Sequence, residues 1–239
     1  MNGALVHKLR QFGPLSNQEQ SLVESASFAV RQIESQHDLV REGDRPTHCR
    51  FLLDGFACRY KVLEDGRRQI VGLHVPTDFC DLTSLLLGTL DYSLATLTPA
   101  QVALIPHMTL LDWTRHNPGL SRLLWRATLV DAAISREWIV NVGRRTAYQR
   151  TAHLFCELVQ RLRSAGLANE HACELPLTQV QLADALGLTP VHVNRTLQWL
   201  RSEKLVEFAG GMLTVRNWRE LKQAAGFDPA YLHHPAAAG

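Results

Sequence analysis

The chain has 239 residues, 46% of them apolar and 20% charged, with a formal net charge of +2. That length carries two modest domains with a proper core, and the composition excludes a disordered, collagen-like or disulfide-scaffold protein. No stretch approaches the roughly 20 uncharged apolar residues of a membrane span, and residues 1–10 lack the charged start, apolar middle and small-residue cleavage site of a signal peptide, so the sequence predicts a cytoplasmic protein with no membrane partner.

Between about residues 28 and 106, short strand-like runs alternate with turn signals: Gly43-Asp44, Asp54-Gly55, Asp65-Gly66, Pro76-Thr77-Asp78 and Thr98-Pro99. This is the pattern of an all-β domain, and short strands at regular spacing favour a roll or barrel. Residues 56–63 and 69–75 flank Glu64-Asp65-Gly66, the strongest hairpin signal in the chain. From about residue 109 to 145 the periodicity becomes helical. Pro118 stands near a start, and Leu120, Leu123, Ala127, Val130 and Ile134 recur in steps of three and four, the spacing of a coiled-coil seam. A helix linking two domains has little of its own chain to bury such a stripe against, so the pattern predicts a dimer helix; a core helix packed within its own domain is the alternative. Gly143 offers a hinge, and a further helix is expected over residues 147–165 with Ala152, Phe155, Leu158, Val159 and Leu162 on one face.

Residues 177–200 carry two short helical patterns joined by one glycine, which predicts a helix-turn-helix. Thr178 caps the first helix and Thr189 the second, with Pro190 at the first helical position, where no N–H is needed. Leu182, Ala183 and Leu186 make one apolar stripe, Gly187 supplies the turn, and Leu188 fills the space between the helices. In the second helix Val193, Leu197 and Leu200 face inward, which turns Val191, Arg195, Gln198 and Ser202 outward, flanked by His192 and Asn194. An arginine donates two hydrogen bonds to a guanine edge, and Asn, Gln or His pairs with other base edges or phosphates. Thr178, Gln179, Thr189, Val191, His192, Asn194, Arg195, Gln198 and Lys204 are therefore the candidate contacts to double-stranded DNA. An αα-hairpin with a merely solvated polar face is the bland alternative. Residues 204–208 and 212–215 are β-prone around Ala209-Gly210-Gly211, a tight hairpin placed as a wing.

The charge is unevenly spread, with 14 basic against 15 acidic residues up to Gly143 and 11 against 8 after it. What attracts phosphate is clustering, here Arg195, Arg201, Lys204, Arg216 and Arg219. Cys49, Cys58, Cys80, Cys156 and Cys173 form no CxxC pair, which suits reduced core thiols and implies no metal site and no cofactor. Residues 229–239 are expected to be a disordered tail, with its paired histidines incidental.

A β domain of about eight strands, a long helix and a winged helix-turn-helix, in that order over roughly residues 22–221, resembles the Crp/Fnr superfamily of bacterial transcription regulators. The most specific part is Leu182-Ala183-Asp184-Ala185-Leu186-Gly187-Leu188-Thr189 with Val193-Asn194-Arg195-Thr196-Leu197; Glu42-Gly43-Asp44 and Phe51-Leu52-Leu53-Asp54-Gly55 resemble the family's early β-roll landmarks. The resemblance implies an α+β chain with a cyclic-nucleotide-binding-like β-roll over residues 1–112, a dimerisation helix over 113–145 and a winged helix-turn-helix over 146–228. It implies a homodimer on a pseudo-palindromic promoter site, with RNA polymerase as a further partner and no enzymatic activity. Thr178 falls where the family contacts a phosphate at a helix N-terminus, and Arg195 on its guanine-reading arginine. Many members place a glutamate four residues before that arginine. This chain has Val191, which meets a thymine methyl but accepts nothing from a cytosine, so the operator of those members does not transfer.

In members that bind cyclic AMP, a cassette supplies a glutamate for the ribose and an arginine for the phosphate. The matching region here reads Phe79-Cys80-Asp81-Leu82 and on to Asp91-Tyr92-Ser93-Leu94. Asp81 offers a substitute for the glutamate, but there is no Lys or Arg from Gln69 to Thr114, so a cyclic phosphate is expected to lack a cationic partner. An iron–sulfur sensor would need a cysteine cluster near the N-terminus, and the first 48 residues hold none. A heme-responsive sensor, with His37, His48, His74 or Cys80 on iron, stays open beside an unidentified small effector or none at all. An effector pocket would be made by Phe79, Asp81, Leu82, Tyr92, Ser93, Ser135 and Arg136. A metal enzyme built on the β domain would need a His-x-His pair, and His74 stands alone in its strand.

Overall fold

In a computed structural model that describes residues 2–169 and 171–233, two short helices precede the β region. Helix α1 (Asn2–Phe12) buries Leu5, Val6, Leu9 and Phe12, and α2 (Asn17–Ser25) starts at a Ser16–Glu19 capping box. Neither figures in the sequence reading, where the domain begins with strands. The described chain divides into two units, residues 2–61 with 73–133 and 232–233, and residues 62–72 with 134–231.

The β region comprises strands β1 (Ala29–Ile33), β2 (Asp38–Val40), β3 (His48–Asp54), β4 (Ala57–Val62) and β5 (Arg68–His74), then α3 (Ser84–Leu87), β6 (Ser93–Thr96) and β7 (Ala100–Pro106), all in the first unit except residues 62–72. They form two sheets, in the orders β1-β7-β3 and β2-β6-β4-β5, with antiparallel registers such as Ala29 opposite Leu104 and Tyr60 opposite Ser93. The turn at Glu64-Asp65-Gly66 joins β4 to β5 as its sequence requires. Among the described residues this region has seven strands rather than eight. The segment after β5 forms an isolated bridge, Phe51 to Phe79, before it turns into α3. Leu52, Ala57, Cys80, Leu94 and Val102 pack as one apolar cluster.

Helix α4 (His107–His116) ends at Asn117, and Pro118 opens α5 (Pro118–Arg144), since its missing N–H costs nothing at a helix start. The stripe Leu120, Leu123, Ala127 and Val130, expected to be the seam of a dimer, is buried within the chain itself, and Ile134 is half-buried. The helix carries a second stripe. Trp125, Leu129, Ala132, Arg136, Ile139 and Gly143, again in steps of four and three, are all exposed, Trp125 by 68% and Ile139 by 73%. Periodicity identifies both faces as helical and cannot say which one the chain covers. Gly143 lies inside the helix, one residue before its end at Arg144, and Thr146 restarts the chain through a capping box with Gln149.

The second unit contains α6 (Ala147–Ser164), β8 (Ala172–Glu174), α7 (Gln179–Leu186), α8 (Pro190–Ser202), β9 (Val206–Ala209), β10 (Met212–Val215) and α9 (Trp218–Ala225). Strand β8 adds to the wing, giving the sheet order β8-β10-β9. Helix α6 buries a charged residue as well as its apolar face. Glu157 is fully buried and accepts from Trp138 Nε1 at 3.1 Å, Tyr231 Oη at 2.8 Å and Arg161 Nη1 at 3.1 Å, so its charge is met by three donors. Tyr231 lies in a 3-10 turn, Pro229–Leu232. The start of the expected disordered tail is thus ordered, held by that hydroxyl, while residues 234–239 lie outside the described residues.

Candidate DNA-binding site

Two caps set the helix-turn-helix. Thr178 Oγ1 accepts from Gln181 N at 3.2 Å while Gln181 Oε1 accepts from Thr178 N at 2.8 Å, a reciprocal capping box that fixes the start of α7. The helix ends at Gly187, at φ 61° and ψ 40°, a left-handed position that an L side chain enters only with strain. Thr189 Oγ1 accepts from His192 N at 3.2 Å, and Pro190 takes the first position of α8. Both cap hydroxyls accept, so each keeps its own O–H to donate. Thr178, Gln179 and Thr189 are exposed at the two helix N-termini, where orphan N–H groups favour a phosphate.

Helix α8 buries Val193, Thr196, Leu197 and Leu200. This leaves Val191, at 63% exposure, His192, Arg195 and Gln198 on the open face. Asn194 is half-buried and donates to Gln179 Oε1 at 3.3 Å, so it ties the two helices together and presents less of itself than the sequence expects. Among the described residues the Arg195 side chain makes no hydrogen bond or ion pair. The neighbouring cations are less free: Arg216 pairs with Glu207, and Arg201 donates to Phe208 O at 3.4 Å. A groove of about 540 Å³ there mixes Arg201, Lys204 and Arg216 with Glu203, Glu207 and Glu220.

The wing forms as read. Ala209 pairs with Met212 across Gly210 and Gly211, both at positive φ, the two-residue turn that suits a right-twisted hairpin. Lys204 closes α8 in the left-handed conformation at φ 55°, with Leu205 N bonded to Leu200 O and Lys204 N to Arg201 O. Glycine is the usual residue at that place, so an exposed ammonium is held there at the expense of backbone strain.

In the β unit the residues proposed for an effector are only partly assembled. Phe79 and Leu82 line a void of about 20 Å³ together with Arg59, Cys80, Thr83, Ala127, Thr128 and Asp131. Asp81 turns away from it: its carboxylate accepts from Arg50 N and Arg50 Nη1, each at 2.6 Å, and burial pushes it up against the pull of Arg50. Ser93 Oγ accepts from Glu42 N at 3.0 Å, and Ser135 and Arg136, which belong to the other unit, are not among the lining residues. The expectation that no cation reaches this region is corrected. Arg59, delivered from β4, lies over the Tyr92 ring at 5.3 Å and donates from Nη1 to Asp131 Oδ2 at 2.8 Å, with Nη2 on Oδ1. Burial works against its charge, but the Asp131 carboxylate more than offsets that and holds the guanidinium above its ordinary pKa. Arg59 Nε also donates to His74 Nε2 at 2.9 Å, which uses the lone pair an iron would need, and burial raises the Cys80 thiol well above its usual value.

Two family models match the chain, a cyclic nucleotide-binding domain over residues 30–117 and a Crp-like helix-turn-helix domain over residues 149–224. A probable transcriptional activator of Rhizobium leguminosarum bv. viciae is 30% identical over 191 residues, covering 80% of this chain and 75% of that protein. The chain belongs to the Crp/Fnr family. The transcriptional activator protein FnrL of Cereibacter sphaeroides is 27% identical over 202 residues, 83% of this chain and 81% of its own. The fold agrees with the structure of FixK2 from Bradyrhizobium japonicum, at a TM-score of 0.77 over 85% of this chain and 100% of that one, with 24% identity. As a Crp/Fnr protein the chain is a DNA-binding transcription regulator with a cyclic-nucleotide-binding-like β domain, a long helix and a C-terminal helix-turn-helix. No helix among the described residues is long and apolar enough to cross a membrane.

Proposed function

We propose that this regulator acts as a homodimer on a pseudo-palindromic promoter site, works in the cytoplasm with RNA polymerase as a further partner, catalyses no reaction, and is not controlled by cyclic AMP. The observation that carries the DNA reading is Arg195, a guanidinium that makes no hydrogen bond or ion pair among the described residues, on the open face of α8 between Val191 and Gln198. Thr178, Gln179 and Thr189 supply phosphate contacts at the helix N-termini, His192 and Asn194 flank the base-reading strip, and Lys204 adds a cation at the base of the wing. The dimer is supported by the second stripe of α5. Trp125, Leu129, Ala132 and Ile139 leave an apolar strip in water, with Arg136 and Gly143 at the same repeat, and two such strips cover each other by symmetry. Trp125 also edges an apolar groove of about 730 Å³ lined by Leu82, Leu86, Leu87 and Leu124, which extends that strip.

A cyclic nucleotide does not fit the residues present. Ligand sites for molecules of that class run to several hundred Å³, against the roughly 20 Å³ between Phe79 and Asp131. Arg59, which lines that void, is already paired with Asp131, and Asp81 is engaged by Arg50. Selection from a random duplex pool tests the reading. The purified protein should enrich a two-fold-symmetric motif whose half-sites lie about 34 Å apart, one helical turn, equally with and without cyclic AMP. Enrichment of a lone half-site, or enrichment only with cyclic AMP, would refute it.

A further inference from the structure

Arg59 runs inward from the middle of β4, with 12% of its side chain exposed, and all three guanidinium nitrogens are engaged, two by Asp131 and one by His74. A fork of two parallel N–H···O bonds is how arginine holds the carboxylate or phosphate of a ligand. Here the carboxylate comes from α5 of the same chain. The place where residues 79–83 face α5 is consequently filled by side chains, with room left for about one water.

We infer that the Arg59–Asp131 pair is a built-in substitute for a diffusible effector: Asp131 supplies the anion that a ligand would otherwise bring, and the fork ties β4 to α5 in the DNA-binding form without any small molecule. This rests on the homodimeric DNA-binding reading above and names the regulation of that same site. The chemistry also defines what replaces Asp131 when its side chain is removed. It is a small planar carboxylate such as acetate, since the vacated space has the shape and charge of one and lies far below nucleotide size.

The test measures operator affinity by fluorescence anisotropy on the full chain, using duplex from the selection. Wild type binds without additive. Asp131→Ala binds tenfold or more weakly, within the roughly 5–150-fold range of coupling between distant sites, and sodium acetate restores it while sodium chloride of equal ionic strength does not. Asp131→Asn, which keeps the volume and loses the charge, and Arg59→Met, which loses the cation, are equally weak and gain nothing from acetate. Rescue of Asp131→Ala separates this role from a simple folding defect. Unchanged affinity in Asp131→Asn, absence of rescue in a folded Asp131→Ala, or a wild type that binds only after cell extract is added would overturn the inference. A wild type that selects no DNA under any condition would instead sink the DNA-binding reading beneath it.

Discussion

Acid should weaken the second unit through one side chain. His153 on α6 is 1% exposed, edge-on to Phe227 with ring centroids 5.1 Å apart and stacked on Tyr231 at 5.9 Å. Burial first, and the positive charge of Arg145 second, hold its pKa down to about 3. Glu137 Oε1 comes within 3.2 Å of Nε2, but without hydrogen-bond geometry, and it already accepts from Arg145 Nη2 at 2.6 Å, so it does little to favour a proton on the ring. In the unfolded chain the same imidazole titrates near 6.5. Below that pH the unfolded state takes up a proton that the folded state refuses until about 3. The contribution of neutral His153 is therefore complete above 6.5 and is lost as the pH falls from there toward 3. At about 1.4 kcal/mol per pH unit, a shift to pH 5.0 removes about 2 kcal/mol. Urea denaturation at pH 7.5 and 5.0 measures this, with His153→Phe as the comparison, since an aromatic ring suits the space between Phe227 and Tyr231. Wild type should lose about 2 kcal/mol more than the variant on acidification. Parallel losses in the two proteins, or an NMR titration of His153 near its ordinary value, would refute the reasoning.

At the turn of the helix-turn-helix, Gly187→Ala should lower stability by about 1–2 kcal/mol through backbone strain, because a Cβ there comes no closer than 3.4 Å to Val142 Cγ1. Gly187→Asn, which enters the left-handed region more readily, should lose less, and thermal melting of the two variants distinguishes strain from crowding. Leu129→Arg should convert the protein to a monomer in light scattering while its helical circular dichroism is retained, since Leu129 is 54% exposed in the single chain and the loss of the partner removes only the stabilisation that association adds; a persistent dimer would place the subunit contact elsewhere.

Local chemistry is what the sequence conveys well. The caps at Thr178 and Thr189, the turn at Gly187, the wing hairpin around Gly210-Gly211 and the β4–β5 hairpin all depend on residues within a few positions of one another, and each forms where its signal stands. What escapes is chemistry made by distant partners. Arg59 and Asp131 lie 72 positions apart, and no local pattern marks an arginine in a strand as one that turns inward. The absence of Lys and Arg from Gln69 to Thr114 is a true statement about that segment, and it misleads because the cation arrives from the neighbouring strand. The dimer stripe fails for another reason. Helix α5 has two apolar faces of equal spacing, and only the packing of the β unit shows that Leu120, Leu123 and Ala127 are covered while Trp125 and Leu129 are not. Tyr231 escapes because a composition of alanine, proline and histidine suggests disorder, whereas one hydroxyl directed at the buried Glu157 carboxylate orders the turn that carries it.

Replacing Arg195 by alanine and measuring both affinity and sequence preference on the selected operator tests the account most directly. The side chain is exposed and makes no hydrogen bond or ion pair among the described residues, so folding should be unaffected and the melting temperature unchanged. Affinity should fall by roughly 1–3 kcal/mol, with preference relaxed at one base pair in each half-site. A variant that binds the operator as tightly and as selectively as wild type would contradict the reading of α8 as the helix that recognises DNA.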